Sequence, residues 1–341
     1  MSKISKSSIE KIQKLRKKQP SVTDLKKSIV NGDAIALSQG ITMIESQNKS
    51  ASYQADQLIS QCLPKCVNSI RIGITGVPGV GKSTFIEAFG NLLTRKGHRV
   101  AVLAVDPTSS LSKGSILGDK TRMERLVKNE HAFIRPTASG SSLGGVAQKT
   151  RESIILCEAA GFDVIIVETV GVGQNETSVH DMTDFFLLLK IAGAGDELQG
   201  MKRGIIEMAD MIAINKADGK NQRDAEKAKA EFSRALHLYP KKESGVDAQV
   251  KLCSSLTHFG IEDILKDIQD YQVKTLKNGY FNLKRKRQNK HWFVQTIENQ
   301  IKKEFFAQEE IQQNFDKYLK MINENKMTPF QAAEKLLGSI K

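Results

Sequence analysis

The chain has 341 residues, 40% of them hydrophobic and 26% charged, an ordinary globular composition that excludes wholesale disorder and leaves room for a full core. The formal net charge of +13 sits at the two ends: residues 1–27 hold nine Lys/Arg against two acids, residues 274–341 hold fourteen against seven, and the stretch between carries 28 bases against 29 acids. That balance excludes a polyanion-binding field on the body of the protein, and apolar runs such as Phe185–Leu189 are far shorter than the ~20 residues of a membrane span.

In chain order, residues 1–20 form a basic, polar lead to which no function is assigned. No apolar signal-peptide core follows Met1, and the four cysteines (Cys62, Cys66, Cys157, Cys253) are too scattered for a disulfide framework, so a reducing, cytoplasmic setting is expected. From Val22 to Glu45 the apolar positions recur at helical spacing with a break at Asn31-Gly32, and a third helix is expected over Tyr53–Leu63, before Pro64. Seven short β-type runs follow, at Ile70–Thr75, Val100–Val105, Ala132–Ile134, Val164–Val167, Phe185–Leu189, Met211–Ile214 and Val250–Cys253, alternating with helix-length segments. The alternation predicts an α/β fold with a doubly wound, mainly parallel sheet whose ligands sit beyond the carboxyl ends of the strands. Past Tyr271 a basic linker (Lys284, Arg285, Lys286, Arg287, Lys290) leads to the apolar stripe Phe293, Ile297, Ile301, Phe305 of a long helix, and Thr328-Pro329 with Gln331 reads as the capped start of a last one.

Chemistry-bearing residues stand just after the strands. Gly76, Val77, Pro78, Gly79, Val80, Gly81, Lys82 and Ser83 spell G-x-x-x-x-G-K-S between a strand and a helix that begins near Thr84. In such a loop the backbone N–H groups close around a phosphate, the lysine reaches the β/γ oxygens and the hydroxyl of Ser83 takes Mg²⁺, so the fold is read as a P-loop NTPase. Two strands end in acids that can reach the ion or its waters, Asp106 and Glu168. Glu168-Thr-Val-Gly171 is similar to the Asp-x-x-Gly of GTPases, with Gly171 offering its N–H to the γ-phosphate. Asn215-Lys216-Ala217-Asp218 ends the sixth run: a carboxylate at Asp218 can accept from guanine N1–H and the 2-amino group, while Lys216 lies along the base and Asn215 braces the loop. Adenine leaves that carboxylate unpaired, a mismatch that can discriminate by about 10⁴–10⁵. Cys253, Ser254, Ser255 and Leu256 stand where GTPases close over the base with backbone N–H groups.

These segments, together with Val105–Ser109, Gly114–Met123 and Gly193–Gly200, resemble one family closely: the methylmalonyl-CoA mutase-associated GTPases of the MeaB/ArgK type, to which the human cobalamin A-type protein is related. The last two segments are not general GTPase motifs, and the resemblance spans about Leu25–Tyr271; Ser110–Lys113 departs from it where relatives carry Pro and Gly. It implies a helical extension over 1–65, a GTP-binding G domain over 66–272 and a helical dimerisation arm over 273–341. It also implies GTP/GDP and Mg²⁺ as ligands, Asp106, Asp119 and Glu168 as acids on the metal side, and a chaperone role toward an adenosylcobalamin-dependent acyl-CoA mutase. In GTPases with a built-in water-positioning glutamine that residue follows the Asp-x-x-Gly glycine; here Val172 follows Gly171. Intrinsic hydrolysis is therefore expected to be slow, with the missing stabilisation coming from a partner or a switch residue such as Arg122 or Lys202. A nickel-delivery GTPase, an ArgK-like protein kinase and a nucleic-acid-binding module are the rival readings. The dispersed histidines, the guanine-reading carboxylate and the lack of aromatics among the basic residues at 284–290 argue against them in turn.

Overall fold

The computed structural model describes residues 20–46, 48–105, 123–137, 143–169, 175–193 and 203–338. Among the described residues three helices come first, α1 (Val22–Val30), α2 (Ala34–Glu45) and α3 (Lys49–Cys62). Each start is capped by a side chain that satisfies otherwise orphaned N–H groups: Ser21 accepts from the Asp24 amide, Asp33 from those of Ile35 and Ala36, and Asn48 from that of Ser50.

The sheet then alternates with its covering helices: β1 (Ile70–Gly76), α4 (Lys82–Arg95), β2 (Val100–Val105), α5 (Glu124–Val127), β3 (Ala132–Thr137), α6 (Leu143–Ala159), β4 (Val164–Thr169), α7 (Asn175–His180), β5 (Phe185–Ile191), α8 (Arg203–Met208), β6 (Met211–Asn215), α9 (Gln222–Leu236), β7 (Gln249–Leu252) and α10 (Ile261–Lys277). All seven expected strands are present. Their order is β3-β2-β4-β1-β5-β6-β7, every pairing parallel, so β1 is the central strand and the loop after it opens in the middle of the sheet's carboxyl edge.

Strand alternation sorts the two faces. Ile70, Ile72 and Ile74 of β1 join Val164 and Ile166 of β4 in a core that includes Phe85 and Phe89 of α4 and Ile264, Ile268 and Tyr271 of α10. The two phenylalanine rings stack at 5.5 Å, and burial of side chains of this size, worth about 1.5–3 kcal/mol each, anchors the helix behind the phosphate loop. On the other face Leu188, Ile212 and Ile214 meet Ile206 of α8 and Phe232 of α9. The N-terminal helices cover the β3 side: Gly40 of α2 lies so close to Ile29, Leu58 and Leu156 that a Cβ would stand 3.0–3.2 Å from each. Arg135 of β3 reaches Ser38 (3.2 Å), Thr42 (3.2 Å) and Glu45 (2.5 Å) of α2. Pro136 is tolerated in β3 because that strand is at the edge of the sheet.

The chain divides into two compact units, Met1–Asn282 and Leu283–Lys341. The basic run at 284–290, expected as a linker, is helical within α11 (Tyr280–Phe306). Lys284 and Gln288 fall at i, i+4 there and are buried, as are Phe281 three residues before and Trp292 four residues after them, so helical periodicity with long amphipathic side chains overrides the polar composition. The second unit continues with α12 (Glu309–Asn323) and α13 (Pro329–Gly338). α13 starts with a reciprocal capping box, the Gln331 amide donating to the Thr328 hydroxyl and the Thr328 amide to the Gln331 side chain, both at 3.2 Å. Among the described residues no helix is long and apolar enough to cross a membrane.

Candidate functional site

The loop from Gly76 to Gly81 turns out of β1 and delivers the chain into α4. Two glycines are required by space and dihedral angle. At Gly81 (φ 93°), the residue that caps α4, a Cβ would stand 2.8 Å from the Asn215 amide nitrogen, and at Gly76 it would meet the Leu189 carbonyl oxygen at 2.5 Å. No side chain caps α4 and its first turn carries no acid, so its leading N–H groups and positive dipole end are left to an anion. Lys82 and Ser83 are buried at that end, and Thr84 is exposed. The Lys82 ammonium donates to the carbonyls of Gly76 (2.8 Å) and Val77 (3.4 Å), curling back over its own loop.

The Asn215–Asp218 tetrapeptide leaves the end of β6 and is tied to the same loop. The Asn215 amide donates to the Val80 carbonyl at 2.9 Å, and Lys216 Nζ donates to the Gly79 carbonyl at 2.8 Å. Lys216 holds a left-handed backbone conformation, φ 60°, which costs a non-glycine residue about 1–2 kcal/mol; the bond to Gly79 is what that conformation makes reachable. Asn215 Oδ1 also accepts from the Ser255 amide (3.1 Å) and hydroxyl (2.9 Å), and the Ser254 hydroxyl donates to the Asp218 carboxylate. Leu256 is exposed beyond this knot. Cys253, the first residue of the Cys253–Leu256 segment, lies under it with its thiol toward Asn215 Oδ1 at 3.7 Å. Burial raises that thiol to about 12, so it stays a neutral donor.

Glu168 is the last β4 residue on the α4 face. It is the register partner of Ile74 and follows Val164 and Ile166 at period two; its side chain is buried. Asp106, Asp119, Arg122, Gly171, Val172 and Lys202 lie outside the described residues. Among those described, then, the fold brings together the phosphate loop, the Asn215–Asp218 tetrapeptide and Ser254–Leu256, with Glu168 on the face of the sheet that carries α4. A cleft of about 860 Å³ opens at the opposite, amino-terminal ends of β6 and β7, between α9 and the segment before β7; it contains none of these residues, and its four lysines are matched by four acids.

Comparison with known proteins decides the family. The model of the family described as "Methylmalonyl Co-A mutase-associated GTPase MeaB" matches residues 37–310. The chain belongs to that family. Among its relatives, the "GTPase ArgK" of Escherichia coli (strain K12) is 44% identical over 298 residues, 87% of this chain and 90% of that protein. The "Methylmalonic aciduria type A homolog, mitochondrial" of Mus musculus is 39% identical over 335 residues, 95% of this chain and 81% of that protein. A solved structure titled "Crystal structure of LAO/AO transport system kinase" superimposes with a TM-score of 0.75 at 36% identity, over 94% of this chain and 97% of the other. The MeaB family match makes this chain a GTPase on a P-loop NTPase fold.

Proposed function

We propose that the chain is a GTP-binding and hydrolysing chaperone that assists an adenosylcobalamin-dependent acyl-CoA mutase, methylmalonyl-CoA mutase first, in loading and protecting its cofactor. The observation that carries the nucleotide part is the double tie of Asn215 and Lys216 to the phosphate loop, because it joins a guanine-reading carboxylate and a phosphate cradle in one site. The partner part rests on what the family and the mouse relative are named for.

In this reading the backbone from Gly76 to Thr84 wraps the β-phosphate, Lys82 spans the β/γ oxygens, and Asp218 reads guanine under the cover of Ser254, Ser255 and Leu256. The described donors suit Mg²⁺: a hydroxyl (Ser83) and a buried carboxylate (Glu168) are hard oxygen ligands, and Mg²⁺ is held by one or two such groups plus phosphates and waters rather than by an all-protein cage. Asp106 and Asp119 complete the acidic side, and Gly171 addresses the γ-phosphate. Bound Mg²⁺ would neutralise charge on the phosphate oxygens. Water adds to the γ-phosphorus as its bond to the β–γ bridging oxygen breaks, giving GDP and phosphate, and Lys82 stabilises the charge that gathers on that oxygen. With valine after Gly171 no side chain there orients the water, so turnover is slow until a partner or Arg122 contributes. GTP turnover measured with and without purified methylmalonyl-CoA mutase tests the proposal: stimulation of tenfold or so, about 1.4 kcal/mol of coupling, is expected, and an unchanged rate contradicts the chaperone reading while leaving GTP binding in place.

The same proposal includes a cytoplasmic homodimer formed through the C-terminal helices. Phe293 and Ile301 are 70% and 60% exposed, and Ile301, Phe305, Phe315, Leu319, Ala332 and Leu336 line an apolar groove of about 490 Å³ within the second unit. Large exposed apolar patches of this kind mark association surfaces. The wild-type chain is expected to sediment as a dimer and Phe293→Glu/Ile301→Glu as a folded monomer; a dimer unaffected by the double substitution rules this interface out.

A further inference from the structure

The seam between β1 and β4 is unlike its neighbours at the carboxyl edge of the sheet. β1 pairs with β5 as far as Gly76↔Leu189, and β2 pairs with β4 as far as Val105↔Thr169, but the register of β1 with β4 ends at Ile74↔Glu168. One step beyond that last pair, the Thr169 hydroxyl donates to the Thr75 hydroxyl at 2.8 Å. Both side chains are fully enclosed, at 0% and 1% exposure. A side-chain rung thus continues the seam where the backbone ladder stops, between the residue that precedes Gly76 and the residue that follows Glu168.

We propose that the Thr75–Thr169 rung is a positioning device that sets the Glu168 carboxylate against the phosphate loop and so governs how readily the nucleotide site takes up magnesium. The inference rests on the reading of Glu168 as a metal-side acid given above. The two hydroxyls lie on the opposite face from Glu168: Gly73, two residues before Thr75, faces Val179, Thr183 and Phe186 on the α7 side, and Thr169 alternates with Glu168. They therefore act through the backbone they share with the site. Valine has nearly the same shape as threonine and would fill the same volume, and replacing both members of a buried hydrogen bond by apolar groups is close to neutral for stability. Packing alone gives no reason for two hydroxyls here. A bond with a defined length does, because a metal site works only when its donors are held to within about 0.5 Å, and nothing in the β1–β4 ladder holds this last step.

The test uses the full chain and nucleotide binding rather than turnover. Fluorescent GDP and a non-hydrolysable GTP analogue are titrated at a series of magnesium concentrations and in excess chelator, on the wild type, Thr75→Val/Thr169→Val, Thr169→Ala and Thr169→Ser, with thermal melting of each free protein. The double valine variant is expected to melt like the wild type and to bind GDP in chelator within about twofold of it, yet to need about tenfold more magnesium for half-saturation, the equivalent of one lost hydrogen bond. Thr169→Ser keeps a hydroxyl and should behave as wild type, whereas Thr169→Ala should shift as the double valine does. A folded double valine variant with unchanged magnesium dependence overturns the proposal. Should the double valine variant not fold, equal shifts in Thr169→Ala and Thr169→Ser overturn it instead, since volume would then be the cause. A wild-type chain indifferent to magnesium brings down the metal reading of Glu168 itself, and the rung with it.

Discussion

Lys82→Ala should reduce GTP turnover by about a hundred- to a thousandfold, the range seen when a single preorganised donor is removed from a developing anion. The expectation is large because the ammonium is held in place before any nucleotide arrives. The Gly76 and Val77 carbonyls accept hydrogen bonds from it at 2.8 and 3.4 Å, and the side chain is buried at the start of α4. Alanine removes the charge and also leaves those two carbonyls without this donor, so the loop loses a brace as well as a ligand. Arginine should not rescue, since a planar five-donor fork cannot replace a compact ammonium curled over a tight loop. Single-turnover phosphate release under saturating GTP is the measurement, and a rate within a few-fold of wild type would remove Lys82 from the reaction.

Asp218→Asn should exchange the base that the site accepts. The Ser254 hydroxyl donates to one Asp218 carboxylate oxygen and leaves the other to accept from a base; an amide in its place offers a donor where guanine also has donors at N1 and the 2-amino group. Xanthine carries an oxygen at that position and regains the pair. The site that hydrogen-bonds one base and leaves a buried group unpaired with the other can separate them by about 10⁴–10⁵, so a swing of several hundredfold or more in the GTP-to-XTP affinity ratio is expected. Competition binding reads it directly. Wild-type protein that takes ATP as well as GTP contradicts the base-reading assignment outright.

Much of the fold was legible in the sequence because its signals are local. The central strands are short, buried β-branched or leucine-rich runs, Asn31-Gly32 separates α1 from α2, and Thr328, Pro329 and Gln331 announce their helix by capping chemistry alone. The basic run at 284–290 misled because an unbroken run of charge was read as a linker, whereas Lys284 and Gln288 lie on a buried helical stripe with Phe281 and Trp292, while Lys286, Arg287 and Lys290 on the same helix are exposed. What the sequence did not contain is anything that depends on strand order. That Asn215 would reach Val80, 135 positions away, or that Thr75 would meet Thr169 across 94, follows only once β1 is known to lie between β4 and β5.

The clamp of Asn215 and Lys216 on the carbonyls of Val80 and Gly79 also bears on how nucleotide leaves. The Asn215–Asp218 loop and the phosphate loop share two hydrogen bonds, so a movement of one is felt by the other: lifting the first strains the bonds to Val80 and Gly79, and distorting the second loosens Lys216. On the proposed reading, GDP release is expected to loosen both loops together. A protein that presses on either loop has leverage on both ends of the ligand, and an exchange-promoting partner can touch this GTPase far from the bond it ultimately loosens.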